Sequence, residues 1–247
     1  MKKILVIPDS VWGNDSGHRS TQFLLKKFID QGHEVAVYAE SNIDSESQRN
    51  TFITKYNIEI FDKKPYSFLD QFPFFKRKSI NEFKDVLDLF KPELILYFGT
   101  IRNKVSIDYL NLEETNIPYA YLPLTNEFWC MKNFAGLKSG ECFKCMNHNF
   151  FHSVINNCLE TYNPIPYLKG AVERTNSKKR LLKSNALLGY TNSQIDTFEM
   201  FGYSRENTYL SSIFFEPKDL KELTPKKGDY FLLSGQITEA KGWHLVP

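Results

Sequence analysis

Four cysteines carry the most specific chemical pattern in the chain. Cys142-Phe143-Lys144-Cys145 is a C-x-x-C pair, with Cys130 before it and Cys158 after it. As thiolates, four such sulfurs close a tetrahedral structural zinc site that leaves no open position for substrate. His148 or His152 is an alternative to Cys158 as the fourth ligand. The competing reading is four reduced, partly buried thiols that serve packing, since a reducing compartment favours thiols or a metal over disulfides. A second pattern is the loop in which Gly13 and Gly17 bracket Asn14-Asp15-Ser16, with His18 next. If a helix starts there, its free N–H groups and dipole favour an anion, and phosphate is the natural guest; each such interaction contributes about 0.3–1 kcal/mol when exposed. The spacing matches neither G-x-G-x-x-G nor the P-loop, which disfavours a dinucleotide or a P-loop nucleotide. Two glycines that merely permit a tight turn are the alternative, as is a His18 facing solvent. The third pattern is the aromatic and basic stretch 65–78, rich in Phe, Lys and Arg. It suits docking on a bilayer interface, or else its Phe side chains fill the core.

These residues need elements to position them. The run Ile4-Leu5-Val6-Ile7 is continuously apolar, as expected of a strand buried on both faces, and Glu34-Val35-Ala36-Val37-Tyr38 is a second such strand. Between them Phe23, Leu24, Leu25, Phe28 and Ile29 recur on one helical face, with Asp15 or Ser16 placed to cap the start and Gly32 to end it. A third strand is expected at 58–61. Ser79 with Glu82 forms a capping-box pair ahead of Ile80, Phe83, Leu87 and Phe90, and Lys91-Pro92 stops that helix. Further apolar runs lie at 94–98, 119–122, 186–190, 208–213 and 230–233, with helical stretches near 106–110, 151–159 and 195–200. Such alternation argues for an α/β fold with a doubly wound, Rossmann-like parallel sheet. The Pro/Lys/Gly stretch at 222–228 is the one composition shift. It separates an acceptor-side domain, 1–221, with a Cys-containing insertion near 126–160, from a segment, 222–247, that holds a linker and the first strand of a truncated second domain.

With 42% hydrophobic and 24% charged residues, disorder is excluded as a default. A formal net charge of +2 provides no global field for nucleic acid. The N-terminal apolar run is too short for a signal peptide or a membrane span. The expected location is the cytoplasm, with peripheral contact at the inner face of the membrane as an added expectation.

Five motifs in order, Ser16-Gly17-His18-Arg19, Gln31-Gly32-His33-Glu34-Val35, Lys91-Pro92-Glu93-Leu94-Ile95, Tyr190-Thr191-Asn192-Ser193 and Ser234-Gly235-Gln236-Ile237-Thr238-Glu239-Ala240-Lys241-Gly242, resemble the N-terminal half of GT-B fold glycosyltransferases of the large retaining family four. The resemblance spans almost the whole chain. It implies two facing Rossmann-like domains, an acceptor on the first, a nucleotide-sugar donor mainly on the second, and transfer of the sugar to a glycan or lipid-linked acceptor with retention. It implies no metal cofactor for catalysis, and some relatives carry a comparable C…CxxC insertion that serves as a structural knuckle. By position, Gly17 matches the glycine whose amide faces the donor diphosphate, and Lys241 the lysine that neutralises it, where charge develops as the glycosidic bond breaks. Gly13, Ser16 and His18 fall in the same donor or acceptor loop. Gln236 stands where the family usually has Arg, and Asn126-Glu127 where it often has a His-Asp pair. Asn126 can position the transferred sugar by hydrogen bonding, and Glu127 can assist proton traffic or simply sit solvated at a strand end. The donor site continues past Pro247, so these 247 residues alone are expected to turn over no nucleotide-sugar. Two other readings stand beside the transferase, a non-catalytic sugar- or nucleotide-binding module and a Rossmann enzyme that modifies nucleotide-sugars.

Overall fold

A computed structural model describes residues 1–8, 16–40, 50, 53–63, 73–99, 116–132, 136–137, 140–147 and 150–211. The expected linker and second-domain start at 222–247, with Gln236 and Lys241, lie outside the described residues. So do Gly13, His148, the helical stretch near 106–110 and the strand near 230–233.

The strands are β1 (Lys3–Pro8), β2 (Glu34–Glu40), β3 (Glu59–Lys63), β4 (Leu94–Gly99), β5 (Tyr119–Pro123), a short antiparallel pair β6 (Gly136–Leu137) and β7 (Gly140–Glu141), then β8 (Ala186–Gly189) and β9 (Thr208–Leu210). Seven of them build one sheet in the order β3-β2-β1-β4-β5-β8-β9, and every pairing is parallel. The helices are α1 (Ser16–Asp30), α2 (Pro73–Phe90), α3 (Phe151–Ile155), α4 (Pro164–Lys183) and α5 (Asn192–Met200). The fold is therefore a doubly wound, Rossmann-like α/β sheet, as the alternation of apolar runs implies.

Because successive strand residues point to opposite faces, the central strands divide their side chains between two cores. Ile4 and Val6 of β1, Val35 and Val37 of β2, and Leu96 and Phe98 of β4 pack with Leu24 and Leu25 of α1. Leu5 and Ile7, Ala36 and Tyr38, Ile95 and Tyr97 pack on the other face with Phe83, Val86, Leu87 and Phe90 of α2. Tyr97 and Tyr121 stack there at 4.6 Å between centroids.

Helix α1 ends at Gly32, as expected. The Gly32 N–H donates to the Ile29 carbonyl at 2.8 Å and the His33 N–H to the Phe28 carbonyl at 3.0 Å, the paired Schellman bonds that require the left-handed φ of +80° at Gly32. The His33 ring lies edge-on to Phe28 at 6.1 Å, which supplies the hydrophobic contact of that motif.

Two expectations need correction. Helix α2 begins upstream of the Ser79–Glu82 pair, at Pro73, because a proline in the first helical turn forfeits no intrahelical bond. Ser79 thus lies inside the helix, and residues 73–78 of the aromatic and basic stretch are its first turns. Helix α4, the longest in the described chain, was not expected at all. Asn163 caps it by accepting from the Ile165 N–H at 3.0 Å, and Pro164 occupies its first turn. Among its described side chains the buried positions are Tyr167, Gly170, Arg174 and Leu181. A glycine and an arginine on the core-facing side erase the apolar periodicity that marks a helix.

Candidate functional site

The order of the sheet reverses between β1 and β4, the point at which open α/β sheets bind ligands beyond the carboxyl ends of their strands. Helix α1 starts at Ser16 at that end of the sheet, so Ser16, Gly17 and His18 form its first turn. Its leading N–H groups have no intrahelical acceptors. Two strands over, the carboxyl ends of β5 and β8 and the start of α5 enclose a crevice of about 380 Å³ lined by Leu124, Thr125, Asn126, Thr191, Ser193, Gln194 and Thr197. Apart from Leu124, every lining side chain is uncharged and carries a hydroxyl or an amide. Such a surface recognises the alternating donors and acceptors of a polyol without placing a charge.

Gln194 holds the crevice together. Its amide Nε2 donates to the Pro123 carbonyl at 3.0 Å, its Oε1 accepts from the Tyr190 N–H at 2.8 Å, and its backbone N–H donates to Thr191 Oγ1 at 3.1 Å. The ends of β5 and β8 are thereby tied through one side chain, and the N-cap of α5 through the backbone of the same residue. Burial next to this tie pushes the Tyr190 phenol up to about 12, so it stays protonated at neutral pH.

Asn126 opens a 3-10 turn, Asn126–Phe128, and partly buried it faces the crevice. Its carbonyl accepts from the Trp129 and Cys130 N–H groups at 3.2 and 2.9 Å. Phe128 packs between Phe198 and Phe201 at 5.7 and 5.3 Å, and Phe128 and Trp129 are both 1% exposed. The aromatic pair anchors the turn and so fixes where Asn126 stands. The backbone of Glu127 belongs to this turn, and the position of its side chain lies outside the described residues. Neither Gln194, Thr191, Ser193 nor Thr197 was singled out from sequence as a site residue. Thr191 and Ser193 stood in one of the five motifs of the resemblance without a site role, and Gln194 and Thr197 lay just past it.

The Cys segment sits behind the turn. All four thiols are free; Cys130 and Cys145 are buried, and Cys142 and Cys158 are partly exposed. Burial pushes the Cys145 thiol up to about 11, reinforced by repulsion from Cys130, Cys158 and Cys142. Burial and repulsion from Cys130 likewise raise Cys158. The fold thus gathers all four within electrostatic reach of one another. Among the described residues, no group of three or more His, Cys, Asp or Glu stands arranged to hold a metal ion. Trp129 stacks on Phe143 at 5.6 Å, and Arg174 of α4, also missed from sequence, donates to the Cys130 and Met131 carbonyls.

No family profile and no curated protein matches the chain. Solved structures do match. Anabaena Alr3699/HepE in complex with UDP-glucose is 13% identical with a TM-score of 0.51 over 91% of this chain and 47% of its own. S. aureus MnaA with UDP is 17% identical with a TM-score of 0.50 over 93% and 50%. The fold is GT-B-like. A glycosyltransferase from Rickettsia africae ESF-5 also matches, at 12% identity and a TM-score of 0.49 over 85% of this chain and 42% of its own, and UDP-GlcNAc 2-epimerases stand among the similar structures. The chain spans about half the length of the solved structures it matches.

Proposed function

We propose that this chain is the acceptor-side half of a glycosyltransferase that moves a sugar from a nucleotide-sugar to a glycan or lipid-linked acceptor, with retention as in family four. The observation that carries the reading is the uncharged crevice of hydroxyls and amides at the carboxyl edge of the sheet, the edge at which helix α1 also starts, at Ser16. HepE binds UDP-glucose and MnaA binds UDP on the same fold, which supports a nucleotide-sugar as donor. In this scheme the Gly17 amide faces the donor diphosphate and Lys241 neutralises it. Asn126 holds a hydroxyl of the transferred sugar, and Glu127 assists the proton that leaves the acceptor. The full-length protein incubated with UDP-glucose or UDP-GlcNAc and a polyol acceptor is expected to release UDP and glycosylate the acceptor. Inversion of UDP-GlcNAc at C2 without transfer would instead establish the nucleotide-sugar-modifying alternative. Asn126→Ala is expected to lower kcat/KM about tenfold, the equivalent of one lost hydrogen bond of ~1.4 kcal/mol, with little change in Tm. Unchanged kinetics would remove Asn126 from the site.

For the Cys segment the proposal is a closed structural zinc site. Its support is the soft four-sulfur donor set and the gathering of its members from three separate stretches of chain. Cys130, Cys142, Cys145 and Cys158 would hold the ion as thiolates, so binding would release their protons and tighten as pH rises, and the ion would supply folding free energy rather than chemistry. Elemental analysis under reducing conditions should find one zinc per chain, and Cys142→Ser/Cys145→Ser should lose it while the sheet stays folded. A metal-free protein with four freely reacting thiols would leave these cysteines as packing residues.

A further inference from the structure

Helix α4 uses one side for the core and leaves an apolar stripe on the other. Tyr167, Gly170, Arg174 and Leu181 are buried. On the far side Ile165 and Leu168 are each 69% exposed, and Val172 continues the same face at helical spacing. Helix α3 packs against α4 and adds exposed Phe151, Val154 and Ile155, with Tyr162 96% exposed in the connection. Half of the large exposed hydrophobics among the described residues thus fall between 151 and 172. Exposed apolar side chains are ordinary singly and informative when clustered.

Charge identifies the occupant. Besides the buried Arg174, the same helix carries Lys169, Lys178, Lys179, Arg180 and Lys183 against the single acid Glu173. Lys169 lies one turn past Ile165, and Lys183 lies five turns past it at the same angular position; both are exposed. A second copy of this chain would oppose two strongly basic helices, so like-charge repulsion disfavours self-association there. An apolar stripe bordered by lysines matches instead the headgroup boundary of an anionic bilayer, where the apolar side chains enter the acyl edge and the ammonium groups meet lipid phosphates. No helix among the described residues is long and apolar enough to cross a membrane, so the contact is one of lying on the surface.

We propose that the α3–α4 face docks the protein on an anionic membrane surface. The inference stands apart from the reaction proposed above, because it rests on exposed apolar and basic residues and on none of the crevice. It differs from docking through residues 65–78. On its buried side, through Arg174, α4 also holds the Cys130 and Met131 carbonyls just past the turn that carries Asn126.

The test is cosedimentation of the full chain with vesicles of phosphatidylcholine alone or with added phosphatidylglycerol. Binding is expected only with the anionic lipid and should weaken as salt is raised. Ile165→Glu/Leu168→Glu should reduce the bound fraction at least tenfold. Lys169→Glu/Lys183→Glu should reduce it about fivefold per lysine. All four positions are exposed, so Tm should hold in both variants, and circular dichroism checks this. Absence of binding to anionic vesicles overturns the proposal, as does binding that the Ile165/Leu168 variant leaves intact. Self-association in solution that this variant abolishes would assign the face to a second copy and overturn it equally.

Discussion

Valine in place of Gly17 is expected to lower kcat/KM for the proposed transfer by about 10²-fold in the full-length protein, the scale of losing one preorganised N–H donor to developing charge. Gly17 is the second residue of α1, at the carboxyl edge of the sheet beside its switch point. In the first turn its N–H has no intrahelical acceptor, and on the proposed reading it donates to the diphosphate. A branched side chain there would stand between a diphosphate and the backbone, whereas glycine allows close approach. The helix itself should not suffer, since valine has a better helix propensity than glycine. The expected signature is therefore a large loss of turnover, assayed as UDP release, at an unchanged Tm. Wild-type turnover in a folded Gly17→Val protein would remove this helix start from the donor site.

Arg174→Ala is expected to have the largest effect on stability, about 3 kcal/mol off the unfolding free energy. The side chain is 6% exposed. Its Nε donates to the Cys130 carbonyl at 3.0 Å, Nη1 to the Gly170 carbonyl at 3.2 Å and Nη2 to the Met131 carbonyl at 3.5 Å. Truncation leaves buried carbonyls without donors and opens a cavity between α4 and the Asn126–Cys130 turn. Gly170 permits this close seat: a methyl group there would meet Met131 Sδ at 2.7 Å. Urea unfolding followed by circular dichroism measures the loss. A change below about 1 kcal/mol would show that solvent replaces the guanidinium, because water then satisfies the carbonyls.

The sequence by itself determined the parallel sheet and much of its order of elements. Runs such as Ile4-Leu5-Val6-Ile7 are apolar at every position, which only a strand covered on both faces requires, and Gly32 and Lys91-Pro92 end their helices through local backbone chemistry. These are short-range signals, legible without knowing what lies across the fold. Asn126 became a candidate only through the resemblance, at the position where the family often has a His-Asp pair. Only the tertiary structure decided the rest. Helix α4 buries Gly170 and Arg174 and exposes Ile165 and Leu168, so its hydrophobic pattern points away from the core, and its partners, the Cys130 and Met131 carbonyls, lie some forty residues away. Gln194 lines the crevice because Pro123 O, far earlier in the chain, lies 3.0 Å from its amide. The four thiols, on three separate stretches of sequence, come within electrostatic reach of one another only through the fold. A side chain whose role depends on a partner brought in by folding leaves no periodicity in the sequence, and such pairings are set by packing between elements.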